Sequence, residues 1–423
     1  MRNIYFFLAV LIFPISLFGQ TTKEELFENL NKTGGVYYAY PEKDIHSQTP
    51  APSGYEPFYI SHFGRHGSRY LLNDSDYKSV LELLKNAKDS NVLTTLGLDV
   101  YNRLTKVWEE AEGRGGELSP LGVKQHRNIA ERMFAAYPEV FKDSVHISAR
   151  STTVIRCILS MGAFCERLKE LNPALQITQE ASERYMYYLN KPTQAAVDFR
   201  SDKEVWKRYY EFEKAHVQPQ RLIQSLFSDE SFIAKNIDPI PFMWALYWIA
   251  GDMQDIETPV SFYDVFDKEE LFNLWQSNNY KFYVGYANAA ENSGIMMDNA
   301  KPLLKNIIRT ADTIIAKQER GATLRFAHDV NIIPLAMLLH LQNCYSSISN
   351  PDDYYKAWSD FKVAPMAANI QLIFFRKDNN PDDVIVKFLL NENEVLIPSL
   401  RSDIEPYYHW KDVKNYYNSL LNN

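Results

Sequence analysis

The sequence predicts an α/β protein: a central, mostly parallel sheet flanked by helices, with a helical cap domain inserted between two parts of the core. Three observations carry this expectation. Short apolar strands are each followed by helix-compatible sequence near both ends of the chain. Residues 180–290 are dense in Tyr, Trp and Phe at helical spacing, with few strand signals. The chain has 423 residues, 46% of them hydrophobic and 14% aromatic, enough to bury a large core. Strand–helix alternation interrupted by a helical block is the pattern of an α/β core carrying an insertion.

The elements follow in order. Residues 1–20, "MRNIYFFLAVLIFPISLFGQ", combine Arg2, an uncharged apolar run and a small residue near the end, which reads as a secretory signal. A membrane anchor fits less well, because the run is short and Pro14 interrupts it. Residues 21–56 are polar and turn-rich, an arm laid on the body. "PFYIS" is the first strand. Residues 75–112 and 119–137 carry apolar residues at helical spacing. "VHISA" (145–149) is the second strand, followed by a helix whose Val154, Ile158, Met161, Cys165 and Leu168 form one apolar stripe. "ATLRFAH" (322–328) is the third strand and "IIPLAMLLHL" the helix after it. "NIQLIFF" and "DVIVKFLL" are two antiparallel strands joined through "RKDNNPD". The expected organisation is a signal at 1–20, the first part of the core with some cap helices at 21–180, a mainly helical cap at 181–300, and the second part of the core at 301–423.

Charge and cysteine content narrow the function. The net charge is −8, and removing Arg2 with the signal makes it more negative. Such a surface repels nucleic acid and anionic membrane, so a cationic pocket in this background is local. No apolar run after the signal reaches membrane-spanning length, so no stable membrane insertion is expected once it is removed. The expected compartment is the periplasm or the exterior. Of the three cysteines, Cys157 and Cys165 fall in one predicted helix about 12 Å apart along its axis, too far to bridge. All three read as small core residues.

"FGRHGSR" (63–69), "SARSTT" (148–153) and "AHDVN" (327–331) each come just after a predicted strand and before helix-compatible sequence. In open α/β sheets ligands bind beyond the carboxyl ends of the strands, so the three segments are expected to converge on one crevice. Their combined side chains are Arg65, His66, Arg69, Arg150, His328 and Asp329. Planar, permanently charged guanidiniums suit a phosphate. Two imidazoles and a carboxyl can supply a nucleophile and an acid.

These segments, in the order Arg65-His66-Gly67-Ser68-Arg69, "ELSPLG" (117–122), "ARSTTVIR" (149–156) and "AHD" (327–329), resemble the histidine phosphatase superfamily, in the branch of histidine acid phosphatases, phytases and multiple inositol polyphosphate phosphatases. The resemblance implies that His66 is phosphorylated, that Arg65, Arg69, Arg150 and His328 clamp the phosphate, and that Asp329 donates a proton. It also implies an α/β domain with a helical cap. Two positions depart from the family pattern. Leu71 stands where a proline is usual, and His328-Asp329 stands where inositol polyphosphate phosphatases often carry His-Ala-Glu.

Chemistry supports these roles. Guanidiniums next to His66 disfavour its protonation and leave it free to attack phosphorus. They also stabilise charge on the equatorial oxygens in the transition state. Asp329 would protonate the leaving alkoxide and later activate water. No metal or other cofactor is needed. His62, in alternation with Phe58 and Ile60, reads as a sheet-core residue, and Arg156, off the apolar stripe, as structural or supporting. Because proline lacks an N–H, Pro334 is expected within the first four helical positions, with Asn331 suited to cap the helix and Asp329 free before it. Ser119 and Pro120 read as an N-cap and first helical residue.

The expected substrate is a small phosphomonoester, with phytate or another inositol polyphosphate favoured and Arg184 and Lys191 as candidate ligands for its further phosphates. A broad-specificity or sugar-phosphate acid phosphatase is the alternative within the class. A non-catalytic phosphate-binding protein, and a metallohydrolase built on His62, His66 and His328, are the alternatives outside it. The last lacks a carboxylate ligand cluster.

Overall fold

In the computed structural model, which describes residues 21–41, 48–377 and 379–422, the predicted α/β core with helical insertion is present. Among the described residues eight strands form one sheet: β1 (Tyr55–Arg65), β2 (His146–Ser151), β3 (Gln176–Ala181), β4 (Gly321–Ala327), β5 (Asn369–Lys377), β6 (Asn380–Leu390), β7 (Asn393–Val395) and β8 (Tyr407–His409). The order is β3-β2-β4-β1-β5-β6-β7, with β8 also paired to β6. β3, β2, β4 and β1 are parallel, and β5 and β6 continue the sheet antiparallel. The edge strand β3 was not anticipated. Its sequence QITQEA is half exposed and polar, so it lacks the apolar run of a buried parallel strand.

Helices cover both faces of the sheet. Pro120–Ala136 and Ile155–Leu171 pack on one face through Ile129, Met133, Phe164 and Leu168. Lys301–Ala316, Asp329–Leu338 and Trp410–Asn422 cover the other. A separate apolar core joins the helices Asp74–Asp89 and Thr95–Ala111 to Pro239–Asp252, so part of the first segment belongs with the inserted helices. The N-terminal arm is more structured than its polarity suggests. Thr21 and Glu24 form a capping box on the helix Thr22–Glu28, and the following 3₁₀ turn, Leu30–Tyr37, buries Val36 against the core.

Strand register sets the site. Arg65 of β1 lies opposite Ala327 of β4, so the residues that leave these two strands, His66 and His328, emerge side by side. Ser151 lies opposite Phe326, which brings Thr152 to the same edge. Residues 1–20, the expected signal, lie outside the described residues. Among the described residues no helix is long and apolar enough to cross a membrane.

Candidate functional site

A cleft of about 1450 Å³ opens at the carboxyl ends of the parallel strands, and His66, Arg69, Arg156, His328 and Asp329 line it. The His66 backbone is pinned from both sides. Its N–H donates to Ala327 O at 3.0 Å, and its carbonyl accepts from Ala367 N–H at 2.9 Å. The ring Nδ1 lies 2.9 Å from Gly67 O. A carbonyl only accepts, so this contact places the proton on Nδ1 and leaves the Nε2 lone pair free. Burial, then Arg65, Arg156 and Arg69, hold the imidazole well below its ordinary pKa. His328 packs edge-on at 5.5 Å between ring centroids, and burial and Arg156 lower its pKa to about 4.

The loop that carries His66 and Arg69 depends on close backbone contact. A Cβ on Gly67 would stand 2.5 Å from Gly122 O, and a Cβ on Gly122 would stand 2.3 Å from Ser68 O. Only glycine at both positions lets the loop lie on the start of the helix Pro120–Ala136. Ser119 caps that helix as expected, its Oγ accepting from Gly122 N–H at 3.2 Å, with Pro120 as first helical residue. Ser119 N–H also donates to Ser68 O at 2.9 Å. The "ELSPLG" segment is therefore architectural: it supports the loop from beneath.

Arg65 is fully buried and largely committed within the protein. It donates to the carbonyls of Val36 and Ala364 and pairs with Asp329 at 2.9 Å. Its Nε has no hydrogen-bond partner, and neither does the Nε of Arg69 or of Arg156. Three buried guanidinium N–H groups without acceptors around a neutral imidazole make a cradle for an anion.

Two of the four expected clamp residues do not line the cleft: Arg65, which is fully buried, and Arg150. β2 continues through Ser151, so Arg150 remains inside the strand opposite Arg325, where it pairs with Glu180 at 3.0 Å and its guanidinium lies 4.2 Å from the Tyr185 ring. Arg156, read from the sequence as supporting, sits in the first turn of the next helix and lines the cleft. Its place at a helix start just beyond a strand end was the available signal. Arg184 and Lys191 are also absent from the cleft wall, where Arg200, Lys203 and Lys281 stand in addition to Arg69 and Arg156. His62 is buried, packed 5.2 Å from Phe164 and 5.3 Å from Phe326, a sheet-core residue as expected.

Asp329 lines the cleft, but not before the helix. The helix begins at Asp329 with His328 as N-cap, so Pro334 lies in its interior. Interior proline costs about 3 kcal/mol. Burial of all seven residues from Ile332 to Leu338 holds the helix together nonetheless. The Asp329 carboxylate accepts from Val330 N–H at 2.8 Å. Burial opposes its charge, yet Arg65 and His328 hold its pKa below the usual carboxylate range.

Two buried acids went unread in the sequence. Asp255 accepts from Ser68 Oγ at 2.5 Å, and Asp252 accepts from Tyr77 OH at 2.5 Å. Tyr77 OH in turn accepts from Leu71 N–H at 2.9 Å. A proline at position 71 could not make that bond. The end of the helix Pro239–Asp252 thus holds both sides of Arg69. Burial raises the Asp252 pKa to about 7, and burial with Asp252 holds that of Asp255 well above the usual carboxylate range. The arm contributes as well, since Arg69 donates to Tyr37 OH at 3.0 Å.

Residues 64–391 match the family described as histidine phosphatase superfamily (branch 2). The chain is 20% identical to a Gallus gallus protein, multiple inositol polyphosphate phosphatase 1, over 88% of this chain and 84% of that one. Its fold is similar to that of the Bifidobacterium longum multiple inositol polyphosphate phosphatase in complex with inositol hexasulfate, with TM-score 0.75, 18% identity, and coverage of 90% of this chain and 97% of that one. It is also similar to the phytase from D. castellii, with TM-score 0.69, 15% identity, and coverage of 93% and 85%.

Proposed function

Because the chain belongs to the histidine phosphatase superfamily, branch 2, and is a phosphomonoesterase of the histidine acid phosphatase type, we propose that it hydrolyses inositol polyphosphates through a phosphohistidine on His66. The observation that carries this reading is the buried neutral His66 with Nε2 free, set among guanidiniums whose Nε–H groups have no acceptor. The phosphate oxygens bind Arg69, Arg156 and His328. His66 Nε2 forms the N–P bond as the P–O bond to the leaving group breaks. The leaving alkoxide takes a proton from Asp329.

In the free protein Arg65 keeps Asp329 ionised, so its proton must arrive with substrate or at acidic pH. An incoming phosphate raises the carboxyl pKa by like-charge repulsion. In the second step Asp329, again a carboxylate, takes a proton from water as its oxygen attacks phosphorus, the N–P bond breaks, and inorganic phosphate leaves. Arg200, Lys203 and Lys281 in the same cleft favour a substrate with several anionic groups over one with a single phosphate. Relatives named as inositol polyphosphate phosphatases and phytases support the same substrate class. Residues 1–20 direct export to the periplasm or the exterior, and the mature chain begins near Gln20 or Thr21.

Brief reaction with labelled inositol hexakisphosphate, quenched in base, should leave phosphate on His66, and His66→Ala should abolish turnover while remaining folded. Label on another residue, or turnover by the variant, would falsify the nucleophile. A phosphate-release comparison across inositol hexakisphosphate, sugar phosphates and phosphotyrosine tests the substrate. The N-terminal sequence of exported protein tests the signal.

A further inference from the structure

The cleft has an aromatic wall that phosphate chemistry alone does not require. Trp244 and Trp248 lie four residues apart on the helix Pro239–Asp252, hence on one face, and both line the cleft. Their rings stack at 5.7 Å between centroids and 21° between planes. Tyr37 continues the row, 5.4 Å from Trp248. The Arg69 guanidinium lies 4.7 Å from the Tyr37 ring and bonds its hydroxyl. At the far end Trp244 Nε1–H donates to Glu213 at 3.0 Å, which fixes that ring. Arg69, Tyr37, Trp248 and Trp244 therefore form one continuous ladder that starts at the phosphate cradle and runs along the cleft.

We infer that this ladder is a platform on which the leaving group lies flat, and that it selects one face of a cyclitol ring. The inference rests on the substrate class proposed above. In myo-inositol five substituents are equatorial and one is axial. One ring face therefore shows three axial C–H bonds and no oxygen, while the other carries the axial oxygen. C–H bonds beside oxygen-bearing carbons are polarised, and the π face of an indole is electron-rich, so the bare face is the one that stacks. The equatorial phosphates then radiate in the plane of the ring, one towards Arg69 and the cradle and others free to meet Arg200, Lys203 and Lys281. The axial substituent points away from the tryptophans. Stacking on one face removes the flipped orientations, so the wall decides which phosphate reaches His66.

The test uses the full enzyme with three probes: inositol hexakisphosphate, glycerol phosphate, which has no ring, and a nucleoside monophosphate, which carries an aromatic one. Wild type should prefer inositol hexakisphosphate over glycerol phosphate in kcat/KM and release one dominant first pentakisphosphate isomer. Trp248→Ala should cut that preference about tenfold, mainly through KM, and broaden the isomer mixture. Trp248→Phe, which keeps a π face and much of the volume, should restore both. An isomer pattern in Trp248→Ala and Trp244→Ala identical to wild type would overturn the platform while leaving the proposed function intact. So would loss of preference for the nucleotide alone, which would make the wall a base-stacking surface. A wild type that releases phosphate from glycerol phosphate but not from inositol hexakisphosphate would instead remove the substrate reading on which the inference stands.

Discussion

Burial and three guanidiniums hold the His66 imidazole well below its ordinary pKa, so the proposed nucleophile stays neutral where an ordinary histidine would protonate. Arg156 has two consequences here: it lines the cleft where the proposed substrate anion would lie, and it depresses the pKa of both His66 and His328. Removing that cation should weaken both effects. Arg156→Met is expected to lower kcat/KM by about 10–100-fold, the range of a lost charge-assisted hydrogen bond. It should also move the acid limb of the pH–rate profile to higher pH, because a histidine relieved of a neighbouring cation protonates more readily. Arg150→Met should do neither, since its partners are Glu180 and the Tyr185 ring, away from the cleft. Steady-state profiles of the two variants decide the matter, and an acid limb that moves in Arg150→Met would reverse the assignment.

Elements explain why these side chains meet. β1 and β4 end in register, the glycine contact seats the loop between Gly67 and Gly122, and the turn after Pro239–Asp252 holds the loop from the other side. Gly122→Ala should therefore displace Ser68 and lower kcat by about 10²-fold, the cost of misplacing a reacting group by about 1 Å. The helix itself should persist, because alanine is its best former. Near-wild-type kcat would show that the loop can yield without loss. Leu71→Pro should also be harmful despite the family's usual proline, because it removes the N–H that Tyr77 accepts. Reduced kcat with substrate binding largely retained is expected, and an unaltered kcat would show that Tyr77 does not set the loop. The sequence made legible those parts that rest on local pattern: apolar strands, the Ser119–Pro120 helix start, and the arginine–histidine motif. Arg150 was misplaced because strand length is not written in a polar stretch such as SARS. Asp329 was misplaced because burial of a long apolar helix overrode the proline rule. Asp252, Asp255, Tyr37 and the tryptophan ladder depend on contacts between segments far apart in the chain, and no local spacing announces them.

At the scale of the whole molecule, the site and the core beneath it hold titratable groups pushed in opposite directions. Burial lowers His62 and His126 to about 3 and His328 to about 4. It raises Asp252 to about 7 and Asp360 to about 6. The signs follow from proton binding. A buried histidine binds fewer protons folded than unfolded, so its contribution is full above pH 6.5 and is lost as pH falls towards its folded pKa. A carboxyl raised by burial binds more protons folded, so its cost is full above its folded pKa and is relieved as pH falls from that value towards the unfolded one of about 4. Between about pH 6 and pH 4 the two slopes oppose one another, and the folded state is buffered against acid. Below that range the acids have no further relief to give while the histidines still charge, so unfolding should steepen there. His62 isolates one side of this balance. It packs between Phe164 and Phe326, and its Nδ1 has no hydrogen-bond partner, so a phenyl ring replaces it without breaking one at that atom. His62→Phe should therefore gain stability relative to wild type as pH falls from 7.5 to 4.5, by roughly 2–3 kcal/mol across that interval at 1.36 kcal/mol per pH unit. Denaturant midpoints of both proteins at the two pH values measure it. A difference between variant and wild type that stays constant with pH would mean that His62 is not held neutral in the folded protein, and the loss of stability in acid would have to come from His126 and His328 alone.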